Sequence, residues 1–197
     1  GTSAGATANG LFIGAGGSGS TIRGLAINRF GTGGAVGAPG GAGIVIQGPG
    51  GNRIERNFIG TDPEGILARP NRADAIFVDN SPGNIIGGVS ALASNLLSGN
   101  SRFGLMLNGT GTVGTSVRNN LIGTNFIGAG PLPNGDAGIA IFGAVQSVIG
   151  GNDGASANTI AFNAGPGVHV ASGVQNSVLG NSITLNGGLG INLGVGS

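Results

Sequence analysis

Six of the fifteen charged residues lie between positions 62 and 79, at Asp62, Glu64, Arg69, Arg72, Asp74 and Asp79. Acid–base cleavage of a glycosidic bond usually needs two carboxyl groups roughly 5–10 Å apart. The candidate catalytic set of a carbohydrate-active site is therefore Asp62, Glu64, Asp74, Asp79 and Arg72. Asp62 and Glu64 flank Pro63 in a loop, which makes them candidate ligands of a weak Ca²⁺ site.

The same charges also have a non-catalytic interpretation. A second stretch of sequence repeats this one further along the chain at a constant offset, and there Asn125 replaces Asp62 and Ile127 replaces Glu64. The repeat thus has no acidic consensus. A solvated, internally paired loop explains the charges, and on this interpretation we expect no catalytic residue, no metal and no cofactor.

His169 is the only histidine. Catalysis by an imidazole needs a nucleophile or a carboxylate beside it, and the surrounding residues offer no complete arrangement with Ser172. We therefore expect His169 to be an outward-facing surface residue.

The repeat that contains these residues consists of short apolar strands. They are LFI (11–13), IVI (44–46), IFV (76–78), LML (105–107), IAI (139–141), VHV (168–170) and INL (191–193). The shortest spacing, from position 168 to position 191, is the bare unit, and the longer spacings contain insertions. A unit of about 23 residues with three short strands and no helix is typical of one coil of a parallel solenoid. The constant offset between Asp62 and Asn125 is then two coils.

Asparagine recurs at equivalent positions of these coils. Asn-x-Ile/Leu triplets begin at Asn57, Asn95, Asn120, Asn158 and Asn181, and a second polar residue follows five positions later at Asp62, Asn100, Asn125, Asn163 and Asn186. Glycine supplies 46 of 197 residues and, with asparagine, provides the backbone angles of tight corners. We expect the stacked asparagines to form ladders of hydrogen bonds along the axis.

Four segments carry a family resemblance: STIRGLAINRFG (20–31), GNRIERNFIGTDPEG (51–65), and the GG…Asn units at 87–100 and 150–163. They resemble the right-handed parallel β-helix repeat proteins, particularly large secreted bacterial surface proteins with a pectate-lyase-like solenoid architecture. The resemblance covers nearly the whole chain and implies an all-β, single-stranded right-handed parallel β-helix. The seven short strands and their spacing predict about seven coils, with loop insertions on alternating coils. The resemblance also implies a secreted or cell-surface location. The architecture hosts lyases, hydrolases, epimerases, tailspikes and inert spacers, so function depends on the site.

The outward positions of the first strand of each coil form an apolar stripe, with one carboxylate at Asp79. Its residues are Phe12, Val45, Phe77 and Met106, extended by Phe142. Contiguous exposed apolar surface often marks a partner site, so these five are the candidate binding residues. The alternative is that the loops at 31–41, 62–73 and 125–136 fold over the stripe and bury it.

Residues 1–197 are expected to form one β-helix domain, as a segment of a longer solenoid. Its expected partners are a further copy stacked end to end, other domains of the same polypeptide, or a polysaccharide. A formal net charge of +1 offers no basic surface for nucleic acid. No apolar stretch approaches the roughly 18 residues of a membrane span.

These observations favour a non-enzymatic structural or adhesive module of an extracellular or cell-surface protein. The alternative is a carbohydrate-active domain, of lyase, hydrolase or epimerase type, with its site on the loop face. Carboxylates that converge in the folded chain would favour the enzyme, and scattered carboxylates would favour the scaffold.

Overall fold

The computed structural model describes residues 4–31 and 40–194, and they form a right-handed parallel β-helix with three parallel sheets. The strands of the first sheet are Leu11–Ile13, Ile44–Ile46, Ile76–Asp79, Leu105–Asn108, Ile139–Phe142, Val168–Ser172 and Ile191–Leu193. Those of the second are Thr21–Arg23, Arg53–Glu55, Ile85–Gly87, Ser116–Arg118, Val148–Gly150 and Ser177–Leu179. Those of the third are Ala26–Ile27, Phe58–Ile59, Leu96–Leu97, Leu121–Ile122, Thr159–Ala161 and Ser182–Thr184. Two short 3₁₀ turns, Ala15–Gly17 and Ala91–Ala93, complete the regular structure.

The predicted fold class is confirmed, with somewhat fewer complete turns than the seven expected. Only the first sheet has seven strands, whereas the second and third have six each in the described part of the chain. From the second coil onward the insertions alternate between two corners, as the two-coil period predicts, whereas the first and second coils both have their long connection between the third and first sheets. Neither of the two helical segments described is long and apolar enough to cross a membrane.

Each strand pairs in parallel with the strands one coil before and one coil after it. Phe77, for example, lies in register with Val45 on one side and Met106 on the other. Neighbouring coils are therefore about 4.8 Å apart, the spacing of hydrogen-bonded strands. Residues at one position of the repeat consequently form a straight column along the axis.

The interior is filled by columns of branched apolar side chains. Alternation along each short strand points every second residue inward. Ile44, Ile76 and Leu105 of the first sheet are fully buried, as are Ile54 of the second and Ile59 of the third. The three sheets thus share a single core.

The asparagine ladder predicted between the second and third sheets is confirmed. Asn57, Asn95, Asn120, Asn158 and Asn181 stack in order, and each side-chain Nδ2 donates to Oδ1 of the next asparagine. The Asn95 to Asn120 bond, for example, is 2.9 Å long. Because each Nδ2 also donates to a backbone carbonyl, the ladder satisfies polar groups inside a tight corner.

A second ladder, between the third and first sheets, differs from the sequence prediction at two positions. Its members are Asn71, Asn100, Asn134, Asn163 and Asn186, bonded in that order. Asp62 and Asn125 are not members, because each begins an inserted loop. The loops are closed at the bridges Thr61–Ala68 and Thr124–Pro131, so the ladder position moves from 62 to 71 and from 125 to 134.

A third corner, before the second sheet, has a ladder that is interrupted. Asn52 and Asn84 are hydrogen-bonded to each other, Thr115 and Ser147 occupy the next two positions of the column, and Asn176 follows Ser147 one coil further on. The hydroxyl groups of Thr115 and Ser147 are buried without a hydrogen-bond partner among the described residues. The repeat therefore tolerates two unsatisfied positions at this corner.

Candidate functional site

A groove of about 330 Å³ lies on the outer face of the first sheet. Its floor is the column Phe12, Val45, Phe77 and Met106, one residue from each of four successive coils. Its walls are Asn9, Gly40, Ala42, Ala73, Asp74 and Arg102 along one edge and Gln47 along the other. The groove therefore runs along the solenoid axis over three strand spacings, about 14 Å.

The predicted binding stripe is thus the floor of a groove and not an open surface. Phe12 is 58% exposed at one end, whereas Val45 is only 5% exposed and Phe77 is half-buried. Ala42 and Ala73, which precede their strands, pack against Val45 and Phe77. Of the four floor residues Phe12 is the most exposed, so the groove is most accessible at that end.

Phe142, the fifth residue of the predicted stripe, belongs to a separate cluster next to Met106. Its ring centroid is 6.1 Å from that of Phe103 and 5.8 Å from that of His169. Met106 packs against this cluster, which also contains Ala137 and Ala140. The cluster fills the outer face beyond Met106, where the groove ends.

The long insertions do not cover the groove. A side chain at Gly65 would meet Phe126, Leu96 and Phe58, and the last two belong to the third sheet. The amide of Phe126 donates to the carbonyl of Gly65 at 3.0 Å, so the two insertions stack on each other. The hairpins of loops 62–73 and 125–136 therefore lie over the third sheet and leave the stripe uncovered, whereas Ala73 at the end of the first loop packs on Val45 and Phe77 and buries part of it, as expected. Positions 32–39 of the loop 31–41 lie outside the described residues.

Asp74 and Arg102 form the polar part of one wall. Asp74 is 2% exposed, and its Oδ1 accepts a hydrogen bond from the Phe103 amide at 3.2 Å. The Nε atom of Arg102 is 3.8 Å from the same oxygen, too far for a hydrogen bond. The guanidinium lies over the Phe103 ring, 4.8 Å from its centroid. Asp74 was among the predicted site residues, whereas Arg102 was not.

The environment of Asp74 changes its acidity. Burial raises the pKa of Asp74, and the nearby charge of Asp136 raises it further. Arg102 and the Phe103 amide oppose that rise, and the resulting pKa is about 6. Asp74 therefore changes charge within the physiological range, which an exposed aspartate does not.

Asp79 lies at the opposite edge of the same face, beside Gln47. Its Oδ2 accepts from Gln47 Nε2 at 2.8 Å, and its Oδ1 accepts from the side chains of Asn80 and Asn108, both at 2.9 Å. Both carboxylate oxygens accept hydrogen bonds. The donors are Gln47 from the preceding coil, Asn80 from the same coil and Asn108 from the following coil. Asp79 thus ties adjacent coils together along the groove edge.

Asp62 and Glu64 lie away from the groove, in the first insertion. Oδ1 of Asp62 accepts the amides of Ile66 and Leu67, at 2.9 and 3.1 Å. Burial alone would raise the pKa of Asp62, but these amides and the charge of Arg69 outweigh it, so the pKa is lowered. Glu64 is exposed on the same loop.

The five residues of the predicted catalytic set are therefore divided between two faces. Asp74 precedes a strand of the first sheet and Asp79 ends the same strand, whereas Asp62 and Glu64 lie in the insertion over the third sheet. Arg72 has a buried Nε atom without a hydrogen-bond partner among the described residues. Across residues 4–31 and 40–194, no group of three or more acidic or histidine side chains is placed to hold a metal ion.

His169 is more constrained than a free surface residue. It lies on the outer face of the first sheet and is half-buried, because its ring packs edge-to-face against Phe142. Its Nε2 is 3.0 Å from the carbonyl oxygen of Gly194, one coil further on. The ring consequently joins two coils and has no carboxylate as its hydrogen-bond partner.

Arg102 is the functional candidate that the sequence interpretation missed. Met106 lies in register with Phe77, and the same offset places Arg102 beside Ala73, next to Asp74. The spacing of the repeat therefore predicts that Arg102 lies next to Asp74. The sequence pattern did not single out Arg102 because it precedes its strand and because the equivalent residue one coil earlier, Ala73, is uncharged.

Comparisons with protein-family models, with curated proteins and with solved structures find no match to this chain.

Proposed function

We propose that this chain is a non-enzymatic structural and adhesive β-helix module of an extracellular or cell-surface protein, with the first-sheet groove as its binding surface. The observation that carries the proposal is that the described lining of the groove contains too few carboxylates for acid–base catalysis. Among its described lining residues, Asp74 is the single carboxylate. Hydrolysis of a glycosidic bond usually takes two carboxyl groups, and the nearby Asp79 has both oxygens occupied by amide donors.

The construction of the coil supports a scaffold as well. Ladders of asparagine amides and columns of apolar side chains join successive coils of the described chain from Asn57 to Asn186. The repeated loops are closed by their own side chains and backbone, with no need for a ligand. A stacked solenoid of this kind can act as a rigid spacer that holds neighbouring domains or binding surfaces at a fixed distance. The secreted bacterial surface proteins that the sequence resembles are consistent with this use.

A second candidate is a carbohydrate-active domain, and one observation favours it. A carboxyl group whose pKa is about 6 is suited to donate a proton near neutral pH, and Asp74 borders a groove that is open at one end. In that case Asp74 would be the general acid. Asp79 would have to exchange its amide donors for a water or a substrate.

A turnover screen separates the two. The protein is incubated with uronate-rich and neutral polysaccharides, with and without Ca²⁺, and assayed for unsaturated products and for new reducing ends. Absence of turnover by a protein with a β-type circular dichroism spectrum supports the scaffold. Turnover that Asp74→Asn or Asp79→Asn abolishes, and that Asp153→Asn on an exposed turn leaves intact, would establish the enzyme.

A further inference from the structure

The guanidinium group of Arg102 is poorly satisfied for a side chain that is only 28% exposed. Among the described residues its one hydrogen-bond acceptor is the thioether sulfur of Met106, 3.9 Å from Nη2 and a weak acceptor. Asp74 lies beyond hydrogen-bond distance, and Phe103 offers only a ring face. The planar fork of N–H donors thus borders the groove without an oxygen partner.

The rest of the groove is suited to an apolar body. Phe77, Val45 and Met106 line its floor, and the exposed ring of Phe12 lies at the open end. The volume of about 330 Å³ is small for a ligand pocket, which is ordinarily roughly 300–1,000 Å³. The groove therefore fits a small molecule, or one terminal group of a larger one.

We infer that this groove binds a carboxylate attached to an apolar, preferably aromatic, body. The carboxylate pairs with the Arg102 fork, which matches two oxygen atoms in one plane. The apolar body lies along Val45 and Phe77 and reaches Phe12. This inference rests on the proposed binding function of the groove and names the chemistry of its ligand.

Asp74 sets the electrostatic condition for such a ligand. While Asp74 is ionised, it repels an incoming carboxylate and offsets the charge of Arg102. Once Asp74 is protonated, it becomes a hydrogen-bond donor and the local charge turns positive. Asp136 is the other charged group that acts on Asp74, and it favours the protonated form. Affinity should accordingly rise as the pH falls from about 7 to about 5.

The test uses 3-phenylpropanoate as the probe and its uncharged amide, which has nearly the same shape, as the matched ligand. Binding to the full chain is measured by ligand-observed NMR titration. We expect the carboxylate to bind at least about tenfold more tightly than the amide. Arg102→Gln should abolish that difference, and Arg102→Lys should restore part of it. Asp74→Asn should tighten carboxylate binding at neutral pH and remove its pH dependence.

The control variant is Arg118→Gln, which removes an arginine from the second sheet and should leave binding unchanged. Thermal unfolding of every variant shows whether the fold is retained. The inference fails if carboxylate and amide bind equally, if Arg102→Gln binds like the parent, if neither probe binds, or if galacturonate binds in preference to the aromatic acid. Turnover in the polysaccharide screen would instead refute the non-enzymatic proposal, so the two failures are distinguishable.

Discussion

Asp62 and Asn125 make the same hydrogen bonds in equivalent loops that lie two coils apart. Oδ1 of Asp62 accepts the amides four and five residues ahead, those of Ile66 and Leu67. Oδ1 of Asn125 accepts the amides at positions 129 and 130, at 3.2 and 3.1 Å. The repeat therefore preserves an acceptor oxygen and not a negative charge, which identifies Asp62 as a loop-closing residue.

Asp62→Asn should consequently lower the stability at neutral pH only by the contribution of the charge, whereas Asp62→Ala should lower it further because it also removes the acceptor oxygen. The pKa of Asp62 is lowered in the folded chain from 3.8, so its charge stabilises the fold above that value and the effect is lost as the pH falls through the folded pKa. Asp62→Asn should therefore be less sensitive to acid than the parent. Urea unfolding at neutral pH and at about pH 3 measures both effects. Equal losses for the Asn and Ala variants would show that the charge itself closes the loop.

The sequence predicts this fold well because one coil is a local unit. Strand positions, the inward columns and the Asn57–Asn181 ladder all follow from the spacing of short apolar runs, since parallel stacking places equivalent residues in register. The same reasoning failed where an insertion intervenes. It assigned Asp62 and Asn125 to the next column, although Asn71 and Asn134 occupy that column after the loop.

The site was less predictable than the fold. Four residues of the outward stripe, from Phe12 to Met106, form one column, whereas Phe142 lies outside it. The period of a repeat also does not say which face an inserted hairpin covers. That depends on contacts such as Gly65 with Phe126, between two insertions. The wall formed by Asp74 and Arg102 lies just before two neighbouring strands. The residues that precede paired strands also lie side by side, so this contact is predicted only if the pairing of the strands is continued toward their N-terminal sides.

The interrupted ladder predicts a gain in stability. Thr115→Val and Ser147→Ala each remove a buried hydroxyl that lacks a partner among the described residues, so each should stabilise the fold by up to about 1 kcal/mol. The matched control is Thr112→Val. Its hydroxyl donates to the Asn108 carbonyl and accepts the Ser81 amide, so its removal should destabilise by about 1 kcal/mol. Chemical unfolding of the three variants tests the contrast, and losses of similar size in all three would contradict it.

Asp74 predicts a pH dependence of opposite sign to that of Asp62. Its folded pKa is about 6 and its ordinary value is 3.8, so the folded chain holds the proton more tightly and loses stability as the pH rises through that interval. Asp74→Asn should be more stable than the parent at about pH 8 by at most about 3 kcal/mol, and the advantage should disappear near pH 4. Unfolding free energies across this range provide the measurement. A variant that is less stable than the parent at every pH would show that the ionised carboxylate is needed for packing.

The two stacked insertions predict unequal effects of one substitution at equivalent glycines. Gly65 and Gly128 both have left-handed backbone angles, with φ of 68° and 75°, so alanine at either should cost about 1–2 kcal/mol. At Gly65 the added Cβ would also lie 2.8 Å from Phe126 Cβ and 2.9 Å from Leu96 Cδ2. At Gly128 the nearest side-chain atom, in Leu121, is 3.4 Å away.

Gly65→Ala should therefore be more destabilising than Gly128→Ala by a further 1–3 kcal/mol or so, roughly the penalty of overpacking. Gly114→Ala is the reference for backbone strain alone, because φ is 66° and no heavy atom lies within 4 Å of the added Cβ. Urea unfolding of the three variants ranks them. If Gly65→Ala matches Gly114→Ala, the two insertions separate freely, and their contact over the third sheet contributes nothing to the stability of the coil.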